Sequence, residues 1–579
     1  MAPLARVPDR YERLFVGVAW AVLSAALLGY ILRYGADVPW MDDWELVPVL
    51  SGARPVTLRW LWIQQNEHRF PVTKLLFLAF AWVTGGDYRA GMIASAGVLS
   101  AVALAAIRVA ARLRGQASYA DAVFPLLLLH PGHGHNVLGH IQLFFVSACA
   151  LAIAFALLVA GGRWRTSLRS AGGVAACLFL LPLHSAAGAL LTPAPALWAL
   201  LAARQGRRAL EREPRRAANV LLAGGLSALA LTALYFVGFV RPPYHPPSPS
   251  VLASVRGGLE VLSVSLGPFG AATWPWSGAA VALLVAATIV LLLAALRAHP
   301  GERIRVLGLL ASMAAVLATV AAMGIGRAGF GPGTGFEPRY ALPSAPLLVA
   351  VSFGWLLYGG GAARLAQVSL FAAACAALSL NVQQALAYGR ARRAQADRLL
   401  EDVRAGVPPR AIANRHWRSF YPQPAIMARR LKMLEEAGQG PYRGRGAAPP
   451  RAPCEHWEAT DPRQIGGHNM AWRDGVGRPE GPDPYLVLGL VDPERLSAVR
   501  LTFVHRSATG AEAPLKVYWA LASAGWFGEG RHWETKVASS TEPQTVVVWI
   551  NDEIDLLRVD PDEGTTHFRV TGLDLLTGS

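Results

Sequence analysis

Long apolar runs recur along the first two thirds of the chain and are separated by short polar stretches. An apolar run of about 20 residues can cross a bilayer as a helix. Two shorter runs, 119–130 and 172–183, contain Pro125 and Pro182 and bring the expected number of spans to about eleven. The pattern therefore predicts a polytopic α-helical membrane protein. The clear candidate spans are 14–32, 90–107, 141–160, 187–203, 217–240, 279–296, 304–325, 341–358 and 365–385.

From about residue 455 the pattern changes to short alternating runs, such as YLVLGL, LKVYWALA and TVVVWI, divided by Gly, Pro and Asp. Apolar residues at every second position indicate half-buried strands, and a series of such strands predicts an antiparallel β-sandwich. Trp526 and Trp533 in this region would either stack on sugar rings or fill the sandwich core. We expect three regions: a transmembrane domain at 1–385, a helical segment and linker at 386–450, and a jelly-roll-like sandwich at 451–579.

The composition agrees with a membrane location, since 53% of the residues are hydrophobic and 16% are charged. The net charge of +16 comes from arginines in the loops, where they suit the cytoplasmic membrane surface better than nucleic acid. Basic loops such as RVAARLRG and RQGRRALEREPRR fall on every second connection. We therefore expect a bacterial inner-membrane protein with a cytoplasmic N-terminus, a periplasmic C-terminal domain, and a surface or re-entrant helix at 72–84.

Under this topology the polar motifs share the outer face, which suggests one outward-facing site. Clustered carboxylates near a bilayer require partners or a function. One carboxylate of the Asp42 and Asp43 pair could deprotonate an acceptor hydroxyl while its neighbour orients it or tunes its pKa. A solvated acidic loop would contain the same residues, and the sequence leaves both interpretations open. The outer motifs are MDDWE, QQNEHRFP, HPGHGHNVLGH, LPLHSAAG, RPPYHPP and GRAGFGPGTGFEPRY.

The second motif places Glu67, His68 and Arg69 in a row. Arg69 could clamp a phosphate through forked hydrogen bonds, and His68 could donate to a leaving phosphate or hold a sugar. The alternative is a juxtamembrane arginine bound to lipid headgroups.

The histidine-rich motif and the boundary histidine His184 supply further candidate contacts. A His-x-His pair with two more imidazoles is compatible with a divalent metal, but no cysteine or carboxylate lies nearby, so a metal is allowed and not favoured. The motif is instead expected to line a sugar cavity, where amide and imidazole groups would contact hydroxyls. The candidate contacts of this motif are His133, His135, Asn136 and Gln142.

The glycine-rich motif is bracketed by Arg327 and Arg339, with Tyr340 next to the second arginine. Such a loop could follow the surface of a ligand, and the arginines could stabilise a phosphate. A mobile loop with a snorkelling arginine is the alternative.

An acidic pair shortly after the first transmembrane helix resembles the signature of the GT-C superfamily. These integral-membrane glycosyltransferases use polyprenyl-phosphate sugars and include protein O-mannosyltransferases and lipid A aminoarabinose transferases. NEHRFP is similar to a histidine and proline pattern late in their first outer loop, and Arg339 resembles the arginine that contacts the lipid-linked phosphate. The resemblance covers residues 1 to about 385. It implies that Asp42 is the general base and Asp43 its acidic neighbour, although Asp-Asp replaces the Asp-Glu of many relatives, which leaves the division of roles open.

The C-terminal region resembles the galactose-binding type of jelly roll that is attached to bacterial envelope glycosyltransferases. Together the resemblances imply an inverting glycosyltransferase without a cofactor. It would move a sugar from a polyprenyl-phosphate donor to an envelope glycan or a lipid-linked saccharide at the periplasmic face. A flippase or transporter of lipid-linked glycans is one alternative, although it would place ionisable groups within its spans. A non-catalytic envelope glycan assembly protein is another.

Overall fold

The structure is a computed structural model that describes residues 10–208, 211–443, 457–460, 463–473, 476–521, 527 and 531–577. The chain divides into two compact units. Unit 1 comprises Met1–Asp37 and Pro55–Arg393, and unit 2 comprises Val38–Arg54 and Ala394–Ser579.

Helices make up most of the described chain before residue 437. In chain order the first ten are α1 (Arg10–Tyr34), α2 (Val47–Leu50), α3 (Leu58–Trp62), α4 (Pro71–Thr84), α5 (Arg89–Arg114), α6 (Val123–Leu128), α7 (Gly134–Val137), α8 (Leu143–Gly161), α9 (Leu168–Leu180) and α10 (Ala186–Leu191). They are followed by α11 (Pro193–Gly206), α12 (Arg212–Phe236), α13 (Val251–Ser263), α14 (Pro268–Ala272), α15 (Trp276–Ala298), α16 (Arg303–Arg327), α17 (Ala341–Tyr358), α18 (Ala363–Arg404), α19 (Pro409–Phe420) and α20 (Pro424–Glu436).

Nine helical segments of the described residues are long and apolar enough to cross a membrane, and they coincide with the nine clear candidate runs. The predicted polytopic helical class is therefore confirmed. The two shorter runs do not qualify as spans. Residues 119–130 form only the six-residue α6, which is buried within the protein, and flanking turns, and residues 172–183 belong to a short apolar helix. The 14-residue α4 is also too short to span.

The most central span of unit 1 is the segment Pro338–Tyr358, which contains α17. In its most apolar window 83% of the residues are buried, against 22% for α1. Small residues let α13 approach α16 closely, because Gly257 faces Gly324 there and a side chain at either position would meet backbone atoms. This crossing fixes the end of α16 and the start of α17, where the candidate site lies.

The C-terminal part of unit 2 is an antiparallel β-structure, as the alternating pattern predicts. Its strands are β1 (Trp457–Thr460), β2 (Arg463–His468), β3 (Met470–Arg473), β4 (Val476–Pro479), β5 (Tyr485–Ser507), β6 (Ala513–Ala520), β7 (His532–Val537), β8 (Gln544–Pro561) and β9 (Thr565–Thr577). The order along the sheet is β3-β4-β9-β5-β8-β6-β7, with β1 paired to β9 and β2 paired to β5.

Bulges bend the long strands so that the sheet encloses a core. In β5 the register shifts between Gly489 and Glu494 and again between Leu496 and Ala498. The N-terminal part of β5 pairs with β2, and the C-terminal part pairs with β9. Burial alternates along β6, and Trp519 on this strand is among the most buried side chains. Trp533 packs against the same core, which favours the core interpretation for this residue, while Trp526 lies outside the described residues.

Candidate functional site

A cavity of about 370 Å³ lies in unit 1 where α12 and α16 end. Two of its apolar side chains, Phe236 and Ile325, expose 44% and 56% of their surface. Both residues lie on membrane-spanning helices, so the apolar side of the cavity opens toward the membrane around those helices. The apolar lining includes Phe145, Leu190, Phe236, Phe239, Met323 and Ile325.

The other end of the cavity is polar and is organised by Arg327, the last residue of α16. Its Nη1 donates to Nε2 of His245 at 3.1 Å, and its Nη2 donates to a carboxylate oxygen of Glu67. The polar lining consists of Glu67, His68, Arg241, His245, Arg327 and Tyr340. Two arginines and one carboxylate give this end a net charge of +1 when both imidazoles are neutral.

Burial and charge set the protonation of Glu67 and His68. Burial alone would raise the pKa of Glu67, but His68, Arg327 and His245 together bring it below its usual value. Burial lowers the pKa of His68 to about 4, although Glu67 opposes this shift. Near neutral pH the site therefore holds a carboxylate beside a neutral imidazole. The Nδ1 atom of His68 accepts a hydrogen bond from the backbone N–H of Ala186 at 3.3 Å, which leaves Nε2 to carry the proton towards Glu67.

The loop that carries these two residues is anchored by Tyr235 and Arg69. The Tyr235 hydroxyl donates to the backbone carbonyl of Glu67 at 2.9 Å and accepts from the backbone N–H of Arg69 at 3.0 Å. The guanidinium of Arg69 donates to backbone carbonyls of Trp62, Val237 and Gly238 at 3.1–3.2 Å, and its side chain is buried. In this structure Arg69 is thus bonded to backbone carbonyls on both sides of the loop, and its phosphate contact stays a prediction.

Two buried polar side chains of α4, Thr73 and Lys74, bond to neighbouring segments. The Lys74 ammonium donates to backbone carbonyls at the end of α3, the nearest being that of Trp60 at 2.8 Å. Burial lowers the pKa of Lys74 to about 8. Thr73 bonds through its hydroxyl to Nδ1 of His184 at 2.9 Å, so His184 is committed to packing α4 and does not line the cavity.

The glycine-rich loop is held by Glu260 of α13. The buried Glu260 carboxylate accepts hydrogen bonds from the backbone N–H of Gly333 at 3.1 Å and of Gly335 at 3.2 Å. A side chain at Gly335 would collide with Glu260, whose other partner is Arg256 at 3.0 Å. These contacts attach the loop to α13.

Arg339 and Tyr340 occupy different surroundings at the start of α17. Tyr340 is buried and lines the cavity, whereas the Arg339 side chain is 43% exposed and lies over the Tyr340 ring at 5.5 Å. The charge of Arg339 contributes to lowering the pKa values of both His68 and His135, so it lies near both motifs.

The histidine-rich motif lines a second cavity in unit 1, of about 290 Å³, that also contacts Pro338. His135 faces this cavity and stacks on Tyr388 with ring centroids 3.9 Å apart. Asn136 donates to the backbone carbonyl of Arg339 at 3.0 Å and thereby joins this motif to the glycine-rich loop.

The other polar residues of the motif are buried, and two of them bond to backbone carbonyls. His133 bonds through Nε2 to the backbone carbonyl of Leu127 at 2.8 Å, and Gln142 is buried at the start of α8. The His140 imidazole bonds to the backbone carbonyl of Tyr88 at 2.9 Å. Across the described residues, no group of three or more His, Cys, Asp or Glu side chains is placed to hold a metal ion.

The acidic pair belongs to unit 2, where a short 3-10 turn, Met41–Glu45, carries it. Asp43 is fully buried, and its carboxylate accepts a hydrogen bond from the backbone N–H of Trp40 at 3.1 Å. Asp42 is only partly buried. Glu45 is held within unit 2 by Arg430, at 2.8 and 3.0 Å, and by the Tyr421 hydroxyl. Met41, immediately before the pair, has a φ of +48°, a strained conformation for this residue type.

Three residues that the sequence analysis did not select organise the cavity of unit 1: Tyr235, Glu260 and Lys74. Lys74 is the single charge in the otherwise apolar α4, and Glu260 lies in α13 four residues after Arg256; such charges in largely apolar helices are a signal that sequence reasoning could have used. Tyr235 offers no such signal, because a tyrosine at the end of a span is common.

No family model and no curated protein matches the chain. Among solved structures, arabinosyltransferase EmbB from Mycobacterium smegmatis is similar at 12% identity with a TM-score of 0.34. The likeness covers all of this chain and 65% of that one, so the chain spans about two thirds of the length of EmbB. A mutant of the family 29 carbohydrate-binding module CBM29-2 is similar at 12% identity and a TM-score of 0.15, over 21% of this chain and 85% of that one.

Proposed function

We propose that this protein is a membrane glycosyltransferase that takes a sugar from a polyprenyl-phosphate donor and transfers it to an envelope glycan or a lipid-linked saccharide. The observation that carries the proposal is the two-sided cavity of unit 1. Its apolar side lies between membrane-spanning helices, and its polar end carries a net positive charge. A lipid-linked phosphate has the same two parts, an apolar chain and a singly charged phosphodiester.

The polar end suits the departure of a phosphate. When an acceptor hydroxyl attacks the anomeric carbon, the bond from that carbon to the phosphate oxygen breaks and its electron pair remains on the phosphate. Arg327 would stabilise the charge that develops there, and Glu67 would hold the guanidinium in place. His68 is neutral and carries its proton on Nε2, so it can donate a hydrogen bond to the phosphate or the sugar. A single displacement of this kind inverts the anomeric configuration.

The acceptor hydroxyl must lose a proton in that step, and we propose that the Asp42 carboxylate accepts this proton as the general base. This assignment rests on the acidic pair in the sequence and on how far each of the two carboxylates is exposed within unit 2. Asp42 is partly exposed, whereas Asp43 is buried and tied to the backbone of Trp40. Asp43 would therefore maintain the turn that presents Asp42.

A transfer assay tests the proposal. Full-length protein in nanodiscs receives a radiolabelled polyprenyl-phosphate sugar pool and an envelope extract as acceptor. We expect label transfer by the wild type and a loss of about 100-fold or more in Asp42→Asn, in line with removal of a general base. Lys432→Gln, at an exposed site in unit 2, serves as the matched control and should be active.

Two results would overturn the proposal. If Asp42→Asn and Arg327→Gln both transfer label as well as the wild type, neither Asp42 nor the cavity takes part in the reaction. Movement of intact lipid-linked saccharide across the bilayer by the wild type, with no bond formed to an acceptor, would identify a transporter.

A further inference from the structure

Unit 2 contains a cavity of about 300 Å³ that the proposed transfer reaction does not use. Its walls come from the C-terminal end of α18, from α19, and from residues on or next to β6, β7 and β8. Gln395, Arg398 and Asp402 lie three and four positions apart on α18, so they share one helix face. The C-terminal half of α19 supplies Arg415 and Ser419 to the opposite lining.

A buried hydrogen-bond network fixes one wall of this cavity. Asp402 accepts from Nη1 of Arg415 at 2.5 Å and from the side-chain amide of Asn551 at 3.3 Å. Its second carboxylate oxygen bonds to Nε2 of His416 at 2.7 Å. On the sheet side, Arg531 pairs with Asp552 at 2.9 Å. These contacts hold Asp402, Arg415 and His416 in place and so give this wall of the cavity a defined shape.

The charges of the lining balance. Three arginines (Arg398, Arg415 and Arg531) face three carboxylates (Glu401, Asp402 and Asp552). Burial lowers the pKa of His416 even though Asp402 opposes that shift, so its imidazole adds no charge near neutral pH. A cavity with no net charge gives a free anion or cation no electrostatic advantage over a neutral molecule.

Four lining side chains take no part in the buried network and can meet a ligand. These four are Gln395, Arg398, Glu401 and Ser419. They supply an amide, a guanidinium, a carboxylate and a hydroxyl, so the lining offers both hydrogen-bond donors and acceptors. Each hydroxyl of a sugar is a donor and an acceptor at once, and such a mixed lining suits a ring that carries several of them.

We propose that this cavity binds the ring of a neutral sugar. The volume is at the lower end of the range for small-molecule sites, which fits one ring better than an extended chain. The proposal goes beyond the transferase function, because the cavity lies entirely in unit 2 and its occupation requires no transfer. A ligand of this size held by a few hydrogen bonds would bind with a Kd on the order of 1 mM.

Saturation-transfer NMR on the full-length protein in nanodiscs tests this site. The probes are neutral methyl glycosides of hexoses and pentoses, with methyl glucuronide and glucose 6-phosphate as charged comparisons. We expect saturation of the ring protons of at least one neutral glycoside and weaker transfer to both anions. Gln395→Ala and Ser419→Trp should reduce the signal about tenfold, since one removes a hydrogen-bonding group and the other fills the cavity. Neither substitution breaks the buried network.

Lys432→Gln is the control and should leave the signal unchanged. Absence of signal from every neutral glycoside, or signal from the anions alone, would overturn the proposal. A signal that persists in Ser419→Trp and disappears in Arg327→Gln would place the sugar in the cavity of unit 1. That result would contradict this inference and leave the transferase proposal intact.

Discussion

Arg327 bonds to two side chains at once, and this fixes its guanidinium at the polar end of the unit 1 cavity. Arg327→Gln removes the charge while retaining a hydrogen-bond donor. We expect the Kd for undecaprenyl phosphate to rise about tenfold or more, because a hydrogen bond to a charged group contributes about 1.5–3 kcal/mol. Native mass spectrometry in nanodiscs measures this change, with undecaprenol as the uncharged control lipid. An unchanged Kd for the phosphate would contradict the assigned role of Arg327.

Buried histidines predict a loss of stability in acid. Burial lowers the pKa values of His68, His133 and His140 to about 4, whereas in the unfolded chain they lie near 6.5. The unfolded state therefore takes up protons between pH 6.5 and 4 that the folded state does not, and the free energy of unfolding falls as the pH decreases through that window.

Thermal unfolding in detergent at pH 7.5, 6.0, 5.0 and 4.5 should therefore give a Tm that declines progressively below pH 6.5. A Tm that stays constant down to pH 5 would contradict the burial of these imidazoles. Replacing His133 by Gln should flatten the decline slightly, because one of the buried imidazoles no longer titrates.

At this scale the sequence indicates which polar residues meet at the cavity of unit 1 better than it indicates the contacts that each of them makes. Glu67, His68 and Arg327 were identified because they are polar groups at the ends of apolar runs, and the structure brings them together. Arg69 is predicted from the sequence to clamp a phosphate, as Arg339 is by resemblance, but the partners of Arg69 in the structure are backbone carbonyls, which no side-chain pattern reveals. The pairing of Glu67 with Arg327 joins positions 260 residues apart and becomes visible only in the folded bundle.

Among the elements, the crossing of α13 and α16 controls the position of Arg327. A methyl group at Gly324 would lie 2.4 Å from the backbone carbonyl oxygen of Ser254, so Gly324→Ala must displace one helix. We expect a destabilisation of about 1–3 kcal/mol, typical of overpacking, together with weaker binding of undecaprenyl phosphate. Gly97→Ala in α5 is the matched control, because a methyl group there meets no atom within 4 Å. Equal Tm values for the two variants would argue against a tight crossing.

Spans were predicted well because each apolar run contains its own signal. The nine clear runs all became helices of sufficient length, whereas 119–130 did not. That stretch contains the six-residue α6, which is buried inside unit 1, and burial in protein favours the same residues as burial in lipid. Hydropathy alone cannot separate these two environments.

For the whole molecule, the proposed function requires that the cavity of unit 1 opens on the outer side of the membrane. Pro249→Cys, four residues after the cavity residue His245, and Arg216→Cys, in the first turns of α12 at the end of the basic stretch RQGRRALEREPRR, should then be labelled from opposite sides. A membrane-impermeant maleimide added to right-side-out vesicles should modify only the first, and inverted vesicles should give the reverse. Cys375 and Cys454 are replaced by serine in both variants, and labelling of both cysteines from one side would contradict the topology.

The binding of a lipid-linked phosphate in the cavity of unit 1 is the central claim, and photo-crosslinking tests it most directly. Full-length protein in nanodiscs is irradiated with a diazirine-bearing undecaprenyl phosphate, and the modified peptides are mapped by mass spectrometry. We predict labelling within residues 236–245 and 319–327, which line the cavity, and its loss when unlabelled undecaprenyl phosphate is added. Labelling spread over the other faces of the helices, or insensitive to the competitor, would contradict the account.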